Sequence, residues 1–234
     1  TGSKHSYSGG YKNDLFHGHG VYVETRVVKS LNIETTYKGS FLNGLFDGQG
    51  YLEFSNGMKF VGEFKQGVPH GQITHIEPAG AKYEGRWING EKHGLGTFTF
   101  KNGNIYEGVW VKGQMTGTGK YFFKSGAMYS GDIENGNFDG NGVLQYENGD
   151  IYSGNWVGDL RHGHGVLTFQ NGDVYEGNWV RGKRSGQGRI TFSDGSFYSG
   201  EWLNNDYQGF GTLQMADGTL VVGNFNKNHV KSIF

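Results

Sequence analysis

The chain of 234 residues has no cysteine at all. That excludes a disulfide framework and a thiolate metal centre, and it fits a reducing compartment such as the cytoplasm. Charge of either sign is not in excess: 21 Lys and Arg stand against 22 Asp and Glu, a net charge of −1. Such a balance offers no general attraction to nucleic acid, which needs clustered cations along a phosphate backbone, so no nucleic-acid partner is expected. No apolar run approaches the roughly 18 residues of a membrane-spanning helix. The opening Thr1-Gly-Ser-Lys-His-Ser is neither a signal peptide nor an initiating methionine, so residues 1–6 are taken as a tail. Helical periodicity is missing too, and with only 35% hydrophobic residues a thick core is not expected.

What the chain does have is 44 glycines and 15% aromatic residues, regularly placed. Copies of one 23-residue pattern begin at Tyr7, Tyr37, Phe60, Tyr83, Tyr106, Tyr129, Tyr152, Tyr175 and Tyr198, with a cut-short tenth at Val221. Counting each start as position 0, position 2 is always glycine, and all five tryptophans fall at position 4. A fixed period of this length means one supersecondary unit copied along the chain, each copy completing its neighbour's packing. The repeats stop inside the tenth copy, so flanking segments are expected in the natural protein.

Short β-branched and aromatic runs bounded by Asn-Gly pairs make each copy two antiparallel strands. The pair at positions 6 and 7, as in Asn89-Gly90, predicts a two-residue turn that places position 0 across from 13, 2 across from 11, and 4 across from 9. Because 23 is odd and strand side chains alternate, one odd correction per copy is required. The second turn, as in Asn171-Gly172, is expected to supply it as a three-residue loop or a bulge with glycine at positive φ. Position 17 is then expected to face the next start, giving the pairs Phe100–Tyr106, Phe123–Tyr129, Tyr146–Tyr152, Phe169–Tyr175 and Phe192–Tyr198. Glycines at positions 2, 11 and 13 are expected to clear space for the rings. The predicted fold class is all-β: an elongated single-layer antiparallel sheet solenoid with one ring-bearing face forming a curved groove over residues 7–234.

The segment Tyr-Glu-Gly-Asn-Trp-Val-Arg-Gly-Lys-Arg-Ser-Gly-Gln-Gly (Tyr175 to Gly188), followed by Ile190, Phe192 and Asp194-Gly195, closely resembles the MORN repeat, the membrane occupation and recognition nexus. The resemblance covers residues 7–225 and implies a non-enzymatic scaffold of cytoskeletal, axonemal (ciliary) or membrane-associated complexes, often a dimer. Some relatives carry a lipid-kinase or methyltransferase domain, and no segment of this sequence resembles either.

Three departures from the pattern stand out. Seven extra residues lie between Val21 and Tyr37, as a longer hairpin or a loop, the hairpin being favoured. The copy from Phe60 to Lys82 holds both prolines, Pro69 and Pro78, puts Ile73 where a glycine recurs, and carries His75 and Glu77 at the ladder positions. It is a bulged or kinked copy, or a partner-specific site. Ile133 replaces the recurrent tryptophan.

His17-Gly-His19 and His162-Gly-His164 lie about 7 Å apart along a strand, poor geometry for a metal that needs converging donors about 2 Å away. No nucleophile elbow, paired carboxylate or phosphate-cradling loop is present, so neither an enzyme nor a cofactor is expected. The first functional expectation is a partner peptide or helix in a groove lined by Trp87, Lys92, Trp110, Trp156, Arg161, Trp179, Arg184, Trp202 and Tyr207, with Lys92, Arg161 and Arg184 stacked on the tryptophans they oppose. The alternative is an anionic phospholipid or acidic peptide on a basic patch of Arg161, Arg181, Lys183, Arg184 and Arg189. Self-association is expected at Val221, Val222, Phe225 and Ile233.

Overall fold

The computed structural model describes residues 3–28 and 31–234. Every regular element among them is a strand, from β1 (Lys4–Lys12) to β20 (His229–Ile233), and each pairs antiparallel with the next along the chain. Contacts gather the chain into two compact units, Thr1–Thr116 and Gly117–Phe234, and each unit builds the same hairpin.

Both turns form as the sequence predicts. Asn89-Gly90 (φ 50° and 83°) and Asn135-Gly136 (49° and 85°) adopt the paired left-handed conformation of a two-residue hairpin. At the second turn Phe169 N donates to Asp173 O (2.9 Å) and Gly172 N to Phe169 O (3.0 Å), closing a three-residue loop with Gly172 at φ 92°. The Asn171 side chain accepts the Asp173 N–H at 3.0 Å and fixes that loop.

The register between the turns differs from the expectation. Strands β15 (Val174–Val180) and β16 (Lys183–Thr191) start as predicted, with Trp179 across from Arg184. The pairing then shifts, so that Gly177 opposes Gly188 and Tyr175 opposes Ile190. Position 2 therefore meets 13 rather than 11, and position 0 meets 15 rather than 13. Two extra residues are bulged out opposite Asn178, and an even insertion leaves every side chain on its own face, so alternation could not reveal it. The glycine at position 11 serves this bulge: Gly186 has φ 82°, and a Cβ there would meet Asn178, not a ring.

The expected ring pairs from Phe100–Tyr106 to Phe192–Tyr198 do not form as strand partners. The three-residue loop sets position 17 against position 21 of its own copy, and Phe98, Tyr121, Leu144, Leu167 and Ile190 oppose the next tyrosine instead. A ladder of rings exists nonetheless, with other members. In the second unit Tyr152 stands edge-on between Trp156 (5.1 Å) and Trp179 (5.3 Å), and Tyr175 between Trp179 (5.2 Å) and Trp202 (5.0 Å). Each tyrosine is thus wedged between its own tryptophan and the next copy's, in the edge-to-face arrangement that aromatic quadrupoles favour.

Hydrogen bonds lock the wedge. Tyr152 Oη donates to Asn155 O (3.0 Å) and Tyr175 Oη to Asn178 O (3.0 Å), while Trp179 Nε1 donates to Gly165 O (3.2 Å) and Trp202 Nε1 to Gly188 O (3.0 Å). The tyrosine lies flat across the paired glycines, and a Cβ on Gly165 would overlap the Tyr152 ring. Burial pushes the Tyr152 and Tyr175 phenols up to about 12, so both remain donors near neutral pH. Successive hairpin tips are also tied: Gly182 N donates to Arg161 O (2.8 Å) and Asn205 N to Arg184 O (3.0 Å).

In the first unit the insertion lengthens β2 (Leu15–Val28) and β3 (Leu31–Leu42), which stay paired as far as Val28 and Leu31, the longer hairpin that was favoured. Its tip at 29–30 lies outside the described residues. The ladder there runs through phenylalanines, Tyr37 standing between Phe41 (5.1 Å) and Phe64 (5.2 Å).

Candidate functional site

Position 9 decides what covers each tyrosine on the ring face. Where it is aromatic it stacks flat: Phe138 on Tyr129 at 3.7 Å, and Tyr207 on Tyr198 at 3.8 Å. Where it is a cation, the charge lies over two rings. Arg161, on β14 (Leu160–Thr168), sits 4.2 Å from the Trp179 ring centre and 5.6 Å from that of Tyr152. Arg184 sits 4.5 Å from Trp202 and 5.5 Å from Tyr175. In the first unit Lys92, on β8 (Glu91–Thr99), lies among Tyr83 (5.1 Å), Phe98 (4.5 Å) and Trp110 (5.1 Å).

Each of the three cations opposes the tryptophan predicted for it but stacks on the tryptophan of the following copy. Cross-strand neighbours lean along the strands, and the wedge brings the next indole beneath the cation. Burial lowers the pKa of Arg184, and that of Lys92, whose ammonium is 3.9 Å from Glu77.

Arg161 and Arg184 both border a cavity of about 740 Å³ with Tyr146, Leu167, Phe169 and Trp179. A second depression of about 500 Å³ shares Tyr146 and Arg161 and continues past Phe123, Phe138 and Leu144. The guanidiniums are held from below: Arg161 Nη2 donates to Gly182 O (2.9 Å) and Arg184 Nη2 to Asn205 O (3.2 Å). Among the described residues neither makes an ion pair with a carboxylate.

The five tryptophans are buried, so what the ring face offers to a partner is the cations and the rings at position 17 more than the indoles. Of the five residues of the basic patch, only Arg161 and Arg184 line the cavity of about 740 Å³. Arg181 is in a turn at φ 48°, and strand alternation puts Lys183 and Arg189 on the opposite face, where Arg189 lies 3.8 Å from the Phe197 ring centre. At the last copy Phe225 is buried against Tyr198 (5.0 Å), Val221 and Val222 are half-buried, and Ile233 is exposed on β20, which among the described residues pairs only with β19 (Leu220–Asn226).

A pattern match decides the family. The pattern described as "MORN repeat" matches residues 7–23, 37–59, 60–72, 83–105, 106–128, 129–151, 152–174, 175–197 and 198–220. The chain belongs to the MORN repeat family. The first MORN match stops one residue before Glu24, and the third one residue before Ile73, at the two irregularities of the sequence. No curated protein matches the chain. A solved structure titled "Streptogramin B lyase structure" is similar at 14% identity over 89% of this chain and 60% of that one, with a TM-score of 0.17, which carries no argument. The chain thus spans under two thirds of that protein's length. MORN repeats are in general protein- or membrane-interaction modules. Among the described residues no helix is long and apolar enough to cross a membrane.

The irregular MORN copy, β5 (Lys59–Lys65) and β6 (Val68–Ile76), keeps its hairpin but loses the lock. Ile73 opposes Gly62, and Trp87 Nε1 has no hydrogen-bond partner among the described residues. His75 is 8% exposed, stacked 4.3 Å from Phe60, and neither ring nitrogen is partnered. Burial first, and the Lys92 ammonium second, push its imidazole down to about 4 from an ordinary value of 6.5. The unfolded chain therefore binds the proton more readily, and the stabilising neutral form is fully present above pH 6.5 and lost as pH falls toward 4. After allowance for solvent screening, the expected loss over that window is roughly 1–2 kcal/mol. His75→Leu, which restores the aliphatic residue of Leu144 and Leu167, should raise stability by about 1–2 kcal/mol and flatten the pH profile. Urea titrations across that window check both; an unchanged pH slope would contradict the assignment.

Proposed function

We propose that the chain is a non-catalytic scaffold whose second unit holds an acidic segment of a protein partner, extended or helical, on its ring face. The observation that carries this is the pair Arg161 and Arg184, laid over Trp179 and Trp202 beside the 740 Å³ cavity, neither in an ion pair among the described residues, although Glu147 and Asp150 also line that cavity. A guanidinium stacked on an indole and tethered by one backbone carbonyl keeps donors free for carboxylate oxygens and loses little entropy in using them. Tyr146 and Phe169 supply apolar contact alongside.

The two arginines are one copy apart, two strands, so their partners should be about 10 Å apart. Along a helix that is about seven residues at about 1.5 Å each, which return to the same face; along an extended strand, whose side chains alternate, the same-face spacings on either side of it are two and four residues. The proposal places the protein in the cytoplasm, in a cytoskeletal, axonemal or membrane-associated complex, as its family suggests.

Fluorescence anisotropy with a labelled helical peptide bearing two glutamates seven residues apart and flanking aromatics tests the reading. Arg161→Glu with Arg184→Glu should weaken binding about a hundredfold, roughly 1.4 kcal/mol per arginine, and added salt should weaken it in the wild type. Binding of phosphatidylserine vesicles without binding of the peptide would favour a lipid tether and end the peptide proposal.

A further inference from the structure

The insertion in the first unit makes a site that the repeat alone would not. At position 17 the copies carry Phe54, Phe100, Phe123, Tyr146, Phe169, Phe192 and Met215, whereas the first copy carries Glu24 and the irregular copy Glu77, whose side chain is 38% exposed. Glu24 lies on the ring face of β2, across from Thr35 of β3, and is 8% exposed. Its carboxylate is 2.7 Å from Arg26 Nε, on a side chain that is 65% exposed. Both line a cavity of about 630 Å³ walled by Ile33, Phe41, Phe46, Leu52, Phe54 and Met58.

A carboxylate buried this far is rare unless paired. Of its two partners here the Tyr22 hydroxyl is neutral and Arg26 stands largely in water, where an ion pair contributes little, so the desolvated carboxylate is poorly compensated. The apolar walls next to it have no occupant among the described residues. We infer that this cavity binds an apolar group carrying a single cation, its ammonium or guanidinium pairing with Glu24 while the apolar part fills the space between Phe46, Phe54 and Met58.

Arg26, exposed and two residues away on the same strand, is the internal competitor and swings into solvent when the ligand enters. An anionic ligand is disfavoured, since its charge would lie beside the buried carboxylate and Arg26 Nε is already engaged. The volume is that of a small-molecule pocket, enough for one aryl or alkyl group. Two sources share this chemistry: a free organic amine, or a lysine or arginine side chain with an apolar neighbour on a protein. The site is independent of the second unit's arginines.

Calorimetric titration of the full chain with phenylbutylamine, phenylbutanol and phenylpentanoate varies the head group on one body. The amine should bind more tightly than the alcohol by about tenfold, and the carboxylate least. Glu24→Gln should erase the preference of amine over alcohol. Arg26→Ala should tighten amine binding, which keeps the test decisive if the Glu24 variant fails to fold. An acetylated tripeptide of phenylalanine, glycine and lysine separates the sources: binding of both it and the amine points to a protein side chain, and binding of the amine alone to a free amine. Equal binding of phenylpentanoate, weaker amine binding by Arg26→Ala, or no saturable binding of any probe would overturn the inference.

Discussion

Trp179→Ala is expected to lower the stability of the second unit by about 3–5 kcal/mol. The indole is buried, touches the rings of both Tyr152 and Tyr175, lies under Arg161 and donates to Gly165 O. Its removal leaves a cavity between two copies, an unpartnered carbonyl and a guanidinium without its platform. The loss falls on two neighbouring interfaces at once, which is where a repeat protein keeps most of its stability. Urea unfolding followed by circular dichroism measures it, with Phe210→Ala, an exposed ring at 52%, as the surface control. A loss no larger than that of the control would refute the wedge as the organising contact.

Gly165→Ala should cost about 3 kcal/mol although it adds only a methyl group. The new Cβ overlaps the Tyr152 ring, and that ring cannot retreat because Trp156 and Trp179 close it in on either side. Gly163→Ala gives the comparison. Gly163 has φ 59°, and the nearest atom to a Cβ there is 3.0 Å away on the Asn155 side chain, a half-buried amide hydrogen-bonded to Asn141 and His164 rather than a ring. Its cost should be near the 1–2 kcal/mol of a left-handed residue with a side chain. The two variants separate crowding from backbone strain within one Gly-x-Gly. If the Gly163 variant lost more stability, the assignment of the second glycine to ring clearance would be wrong.

Much of this was legible in the sequence. Asn-Gly pairs specified both turns, because only residues tolerant of positive φ fit them, and the odd period demanded the three-residue loop. The tryptophans were recognisable as architecture from their constant position. The bulge at Gly186 was hidden because two extra residues preserve alternation. Pairing of glycines could not expose it either, because position 2 meets a glycine in both registers, at 11 as expected and at 13, Gly188, as found. The bulge in turn concealed which rings touch. Of the candidate site, the cations at position 9 were legible as facing tryptophans, but their stacking on the following copy depends on a lean along the strand that spacing does not encode. The acid at Glu24 passed unremarked because the irregular copy also carries an acid at position 17, Glu77, and the sequence does not show that Glu24 alone of the two is buried.

The alternating tyrosines and tryptophans also set how the protein yields to force. Where every phenol is gripped from both sides and every indole N–H is satisfied, as from Tyr152 to Trp202, a bend at one copy must open two interlocked ring contacts, and the segment should behave as a stiff member. At Trp87, whose N–H is unpartnered beside the buried His75, the grip is weaker. Compliance in the first unit should concentrate there, as a hinge whose stiffness a single side chain can tune.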